Sequence, residues 1–208
     1  MKHLLILCST VAILFSGCMS FRAVYDINLK EAVTPEKVKE KYGAQKITKS
    51  DSAGIAQYYF ENDMVKILWL PTSSDINFSI TNKTDFSIKV IWDEAAYLDE
   101  NGKSHRVMHS GVKYTERNNP QPPSVIPRKG TIDELVFPTD NVNFISGQYG
   151  GWNETPLFPN SANSANELNA ITKKYIGKTF QVLLPLQIQD VTNEYTFTFE
   201  IQNVQVKK

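Results

Sequence analysis

The stretch Asp75-Ile76-Asn77-Phe78-Ser79-Ile80-Thr81, followed by Asn82-Lys83-Thr84-Asp85 and then Phe86-Ser87-Ile88-Lys89-Val90-Ile91-Trp92, sets the fold class. Successive side chains of an extended strand point to opposite faces, so Ile76, Phe78 and Ile80 share one face, and Phe86, Ile88, Val90 and Trp92 share another. The four polar residues between the runs predict a turn, and the whole stretch predicts an antiparallel hairpin.

The same period of two returns on either side. Residues 58–61 and 64–70 flank Asn62-Asp63, a pair that tolerates positive φ and suits a two-residue turn. Farther on, Phe180, Val182, Leu184, Leu186 and Ile188 share one face, and Tyr195, Phe197, Phe199 and Ile201 share a face of a second strand. The link 190–194 is short enough to join them as a hairpin. Pro185 has no N–H to give a ladder, which predicts an edge position or a bulge. The apolar parity slips between Ile201 and Val204, as a bulge at Asn203 would cause.

Short antiparallel strands at this spacing predict a mainly β fold: an antiparallel two-sheet sandwich, immunoglobulin-like in the loose sense. The cysteine pair of antibody domains is absent, so only the architecture is implied. Two helices are expected beside the strands. Thr34-Pro35-Glu36 gives an N-cap, a first-turn proline and an acidic residue, with Gly43 placed to stop a short N-terminal helix after Tyr42. An insertion at about 138–177 carries Ser164-Ala165-Asn166-Glu167, a capping-box pattern whose helix Gly177 could end.

Before all this, Met1, Lys2 and His3 precede a largely apolar run, 4–15, and the small residues Ser16 and Gly17 precede Cys18. Charged, apolar and small segments in that order predict a cleaved secretory signal, 1–17. The apolar run is too short to span a bilayer, which takes roughly 20 helical residues. Leu14-Phe15-Ser16-Gly17-Cys18 resembles the lipobox of bacterial lipoproteins, with Phe15 where that class usually has an aliphatic residue. The resemblance covers the first 20 or so residues and implies that Cys18 is lipidated and becomes the mature N-terminus. It also implies sorting: Met19 stands where retention in the inner membrane usually needs Asp, so the expected location is the outer membrane, facing the periplasm.

Cysteine use agrees with that resemblance. Cys8 leaves with the signal, so an exported chain keeps Cys18 alone and can form no internal disulfide. Residues 18–34 show no clear period and are expected to be a tether, with one domain over 35–208. The chain has 22 basic and 22 acidic residues; loss of Lys2 leaves 21 against 22, a formal charge of −1. That balance gives nucleic acid no reason to bind. The expected partners are the membrane, through the lipid, and another envelope protein or a glycan; no cofactor motif is present.

Candidate chemistry is sparse. His105 and His109 are the two histidines of the mature chain, and a spacing of four suits a shared metal on a helix. Asn101-Gly102, a strong hairpin signal, puts them on a strand instead, where residues four apart are separated by roughly 13 Å. A two-residue turn there pairs Leu98 with His105 and Glu94 with His109, so a solvated His109–Glu94 pair is expected and no metal. Asp93, Glu94, Asp99 and Glu100 crowd the same hairpin and could hide a hydrolase pair, though a solvated charged hairpin accounts for them. There is no G-x-S-x-G elbow and no H-E-x-x-H. Asn119-Pro120-Gln121-Pro122-Pro123 favours polyproline II and is expected to bridge two strands.

The most suggestive segment is 144–158, which sets Phe144, Tyr149, Trp152 and Phe158 among glycines and amides. Exposed aromatic faces of that kind suit a protein hot spot or a stacked sugar, with Tyr149, Trp152 and Phe158 as contacts. The competing expectation is that Trp152 plugs the core. A non-catalytic binding or structural module of the envelope is the function expected, with glycan binding and hydrolysis as alternatives.

Overall fold

A computed structural model describes residues 20–208 apart from 53 and 54. The predicted signal and Cys18 lie outside the described residues. The fold is mainly β and entirely antiparallel, a long sheet curled into a half-barrel.

The chain opens with β1 (Phe21–Val33), helix α1 (Glu36–Tyr42), and strands β2 (Lys46–Ser52), β3 (Ile55–Glu61), β4 (Val65–Pro71) and β5 (Ile76–Asn82). Next come β6 (Ile88–Val90), β7 (Ala96–Leu98), β8 (Ser104–Met108), β9 (Ser124–Ile126) and β10 (Thr131–Pro138). The 138–177 segment holds β11 (Val142–Ile145), β12 (Gly151–Glu154), β13 (Ser161–Ala162) and α2 (Ala165–Thr172). Two long strands, β14 (Thr179–Ile188) and β15 (Val191–Lys207), finish it. The ladder runs β13-β1-β15-β14-β7-β8-β10-β5-β4-β3-β2, with β6 and β9 attached beside β14. Where two separate sheets are predicted, one continuous sheet bends over on itself.

The two halves of that sheet meet through aromatic rings. Trp69 of β4 packs on Phe197 and Phe199 of β15 at 4.7 and 5.3 Å, and Phe60 of β3 meets Phe197 edge-on at 5.2 Å. All four are fully buried. Offset and edge-on rings at such distances add about 0.5–1.5 kcal/mol each beyond the area they bury.

The predicted hairpin over 75–92 does not form. β5 pairs with β4 and β10, whereas β6 pairs with β14 and β9, so the chain crosses from one half of the sheet to the other at 82–85. Both runs face the same core, as their period says, but from opposite sides. Asn82 fixes the crossing: its fully buried amide nitrogen donates to the carbonyls of Phe86, Ile126 and Pro127, and its oxygen accepts from the Thr84 amide and hydroxyl.

Other turns differ in detail. Asn62 donates its amide N–H to the Val65 carbonyl, so the first hairpin turns at Asp63 and Met64, one residue later than predicted. The Asn62 side chain accepts from the amides of Met64 and Val65 and donates to Tyr195 Oη, whose burial pushes its pKa up to about 12. The last hairpin is tighter than predicted, with Ile188 opposite Val191 and Gln189 at φ +56°. Pro185 sits in the interior strand β14, facing the interval between its β6 and β7 pairings, where a missing N–H costs no ladder bond. The bulge expected at Asn203 falls on Gln202, since Asp26 faces Asn203 and Ile27 faces Ile201.

The largest correction is at the N-terminus. Residues 21–33, assigned above to a tether, form β1, paired with β15 from Arg22 to Val33. Ala23, Ile27 and Leu29 are buried, a true but weak alternation that the extra residue Lys30 interrupts.

Candidate functional site

The 138–177 segment sends out an arm. Among the described residues β11 and β12 pair only with each other, as a two-stranded sheet outside the main ladder. Asn141 and Thr155 close its root, Thr155 donating its amide N–H to the Asn141 carbonyl at 2.8 Å. From Val142 to Asn153 the arm has no charged residue, in a chain of which 21% is charged. Its tip, Ser146-Gly147-Gln148-Tyr149-Gly150, is exposed, and Gly147 takes φ +127°.

Tyr149 is 95% exposed and Phe144 61%, while Trp152 keeps 39% of its surface in water. Trp152 is held rather than loose. Phe144, directly opposite it in the arm, stacks edge-on at 5.3 Å, Tyr114 does the same at 5.7 Å, and the Arg117 guanidinium lies 5.1 Å from its ring centre. Arg117 is itself fixed by donating to the Tyr114 carbonyl at 2.7 Å. Tyr114 donates its hydroxyl to Glu154 at the arm's root, and that carboxylate, followed by burial, raises the phenol's pKa.

Phe158, the third predicted contact, is not on this surface. It is fully buried among Tyr25, Tyr175 and Phe180, and its amide N–H donates to the Ser73 carbonyl. The chain has re-entered the core by that point. Trp152 in turn does not plug the core.

A cavity of about 190 Å³ opens beside the arm's root, lined in part by Asp75, His109, Ser110, Tyr114 and Glu154. His109 does not pair with Glu94. The hairpin at Asn101-Gly102 is a three-residue loop, with the Asp99 amide N–H donated to the Lys103 carbonyl and Gly102 at φ +80°, so the register moves by one and His105 faces Tyr97. β8 ends at Met108, and His109 turns inward to stack flat on buried Trp92, at 4.3 Å and 6°. Its Nδ1 lies 3.4 Å from Glu134 Oε2. Glu134 also accepts from the Ser124 hydroxyl at 2.7 Å and the Ser110 amide at 3.2 Å, and Ser124 accepts from Trp92 Nε1 at 2.8 Å. Burial alone would raise the Glu134 pKa; the neighbouring His109 imidazole and the hydrogen bonds from Ser124 and Ser110 outweigh it and hold the group below its ordinary value.

His105 is elsewhere, between Asp140 at 2.8 Å and Asp99 at 3.4 Å, so the two imidazoles face different carboxylates and share no site. Among the described residues no group of three or more histidine, cysteine or acidic side chains could hold a metal ion. Asp93 and Glu94 are exposed; Asp93 is tied to Arg106 at 2.8 Å and accepts the Gln121 amide, and neither carboxylate lines the cavities described. The 119–123 loop leads from β8 toward β9, with Gln121 buried and donating to the Val107 carbonyl.

Sequence reasoning singled out Tyr149 and Trp152, which lie on the exposed arm, and did not single out Tyr114 and Arg117, which contact Trp152 but lie 38 and 35 residues before it and carry no local sign of that contact. The uncharged run 142–153 was the available signal. No family model matches the chain, and no curated protein or solved structure matches it.

Proposed function

We propose that the protein is a lipid-anchored, non-catalytic module of the bacterial envelope that docks another envelope protein through its β11–β12 arm. Cleavage before Cys18 and acylation of its sulfur supply the anchor, on the outer membrane facing the periplasm; the loosely immunoglobulin-like packing of the body belongs to the same reading. The observation that carries it is the arm: uncharged from Val142 to Asn153, it presents Phe144 and Tyr149 to solvent around a Trp152 immobilised by Tyr114 and Arg117. Rigid aromatic anchors lose little entropy on docking and dominate interface energetics. A photoreactive amino acid replacing Tyr149 is expected to capture one discrete protein in intact cells, with the yield falling several-fold in Trp152→Ala. Capture no better than that of a probe on the far side of the sheet would refute the arm as the contact.

A glycan is the second reading, favoured by the exposed ring of Tyr149 and the part-exposed ring of Trp152 on an arm rich in glycine and amide side chains. Trp69 and Trp92 are fully buried, so an emission change on adding cell-wall fragments would report Trp152. The hydrolase alternative keeps little support, because Asp93 and Glu94 do not face each other across a cleft.

A further inference from the structure

Only Met19 and Ser20 separate Cys18 from Phe21, where β1 begins. Three residue steps span at most about 11 Å even when fully extended. β1 yields no extra length: Arg22 is already opposite Lys207, and Phe21 and Arg22 are also paired with Ala162 and Ser161 of β13. The headgroup layer on each side of the hydrocarbon is roughly 5–7 Å thick. An acylated Cys18 therefore brings Phe21 to the top of that layer.

The charges at this end suit such a neighbour. Arg22 and Lys207 stand directly opposite on neighbouring strands, both exposed, and among the described residues neither forms an ion pair. Like charges placed opposite each other destabilise a ladder unless an anion comes between them. Lys208 follows at once. Glu167 is a carboxylate of the adjoining groove, whose other walls include Ser20, Ala162 and Asn163.

We propose that this end of the sheet rests on lipid headgroups, with Arg22 and Lys207 taking phosphate oxygens, so that the body stands on the membrane with no stalk. The inference depends on the lipoprotein reading and adds which face is down. The opposite pole is the Gln189-Asp190 turn, roughly 55 Å away along β15 at 3.3 Å per residue.

The full acylated protein, reconstituted in vesicles of phosphatidylcholine and phosphatidylglycerol with a nitroxide on the headgroup, tests this. Cys18 is blocked by its lipid, so a fluorophore can be placed on Asn163→Cys or on Asp190→Cys. Quenching is expected to be several-fold stronger at 163 than at 190. The difference should shrink when a Gly/Ser segment of about ten residues follows Ser20, and when Arg22→Ser and Lys207→Ser are combined. Equal quenching at both positions, with acylation verified by mass spectrometry, overturns the orientation and leaves the anchor standing. An unchanged difference in the double variant overturns the phosphate contacts. An unmodified thiol at Cys18 overturns the anchor and the orientation together.

Discussion

Replacing Asn82 by alanine would take a partner from the Ile126 carbonyl and from the Thr84 amide inside the protein, while the Phe86 carbonyl keeps the Thr84 hydroxyl and the Pro127 carbonyl keeps the Gly130 amide. An unsatisfied buried polar group costs about 1–3 kcal/mol, so Asn82→Ala is expected to lower stability by about 3 kcal/mol in urea denaturation. A loss under about 1 kcal/mol would mean that solvent takes the amide's place. Glu134 makes a pH prediction. Its pKa is lower folded than unfolded, so its stabilisation is present above the ordinary value of 4.5 and fades as pH falls through the folded value. Wild type should exceed Glu134→Gln in stability most at neutral pH, and the gap should narrow below 4.5; a gap constant with pH would contradict the linkage. Neither network shows in the sequence, because Asn82 reads as one polar turn residue among four and Glu134 as one acid on a strand. Their partners lie up to 45 residues away.

Among the elements, strand existence was far more legible than strand pairing. Period two places Ile76, Phe78, Ile80, Ile88, Val90 and Trp92 correctly in the core, and all six are buried. It cannot say whether a four-residue polar link folds back within one layer or crosses to the facing one, since both bury the same faces. Turn glycines are more discriminating. Gly102 has φ +80° with open space around it, so Gly102→Ala should cost only the backbone strain, about 1 kcal/mol. Gly43, at φ +79°, faces the Asp63 carboxylate where a Cβ would collide, so Gly43→Ala should cost more; equal losses would show that Asp63 moves aside freely. The arm is a separable element. Replacing 143–153 by a short turn is expected to shift Tm by less than about 4 °C, read by circular dichroism, because no strand of the main ladder pairs with it. A larger drop would make the arm part of the body.

For the molecule as a whole, the N-terminal strand is the part that sequence reading lost, and the one the sheet can least spare. β1 covers one long edge of β15 from Arg22 to Val33, and Ile27 and Leu29 enter the core. Deleting 21–33 is therefore expected to abolish cooperative unfolding, whereas a true tether could be removed without effect. The site was half legible for a related reason: aromatic residues close in sequence announce themselves, while the loop that braces them, Tyr114 and Arg117, is brought in only by tertiary structure. The pairing of β1 with β15 also has a kinetic side. A polypeptide delivered vectorially, amino end first, keeps 21–33 without its mate until 191–207 has emerged, so this topology postpones closure of the half-barrel to the final moments of synthesis or translocation. Until then the chain remains loose enough to thread.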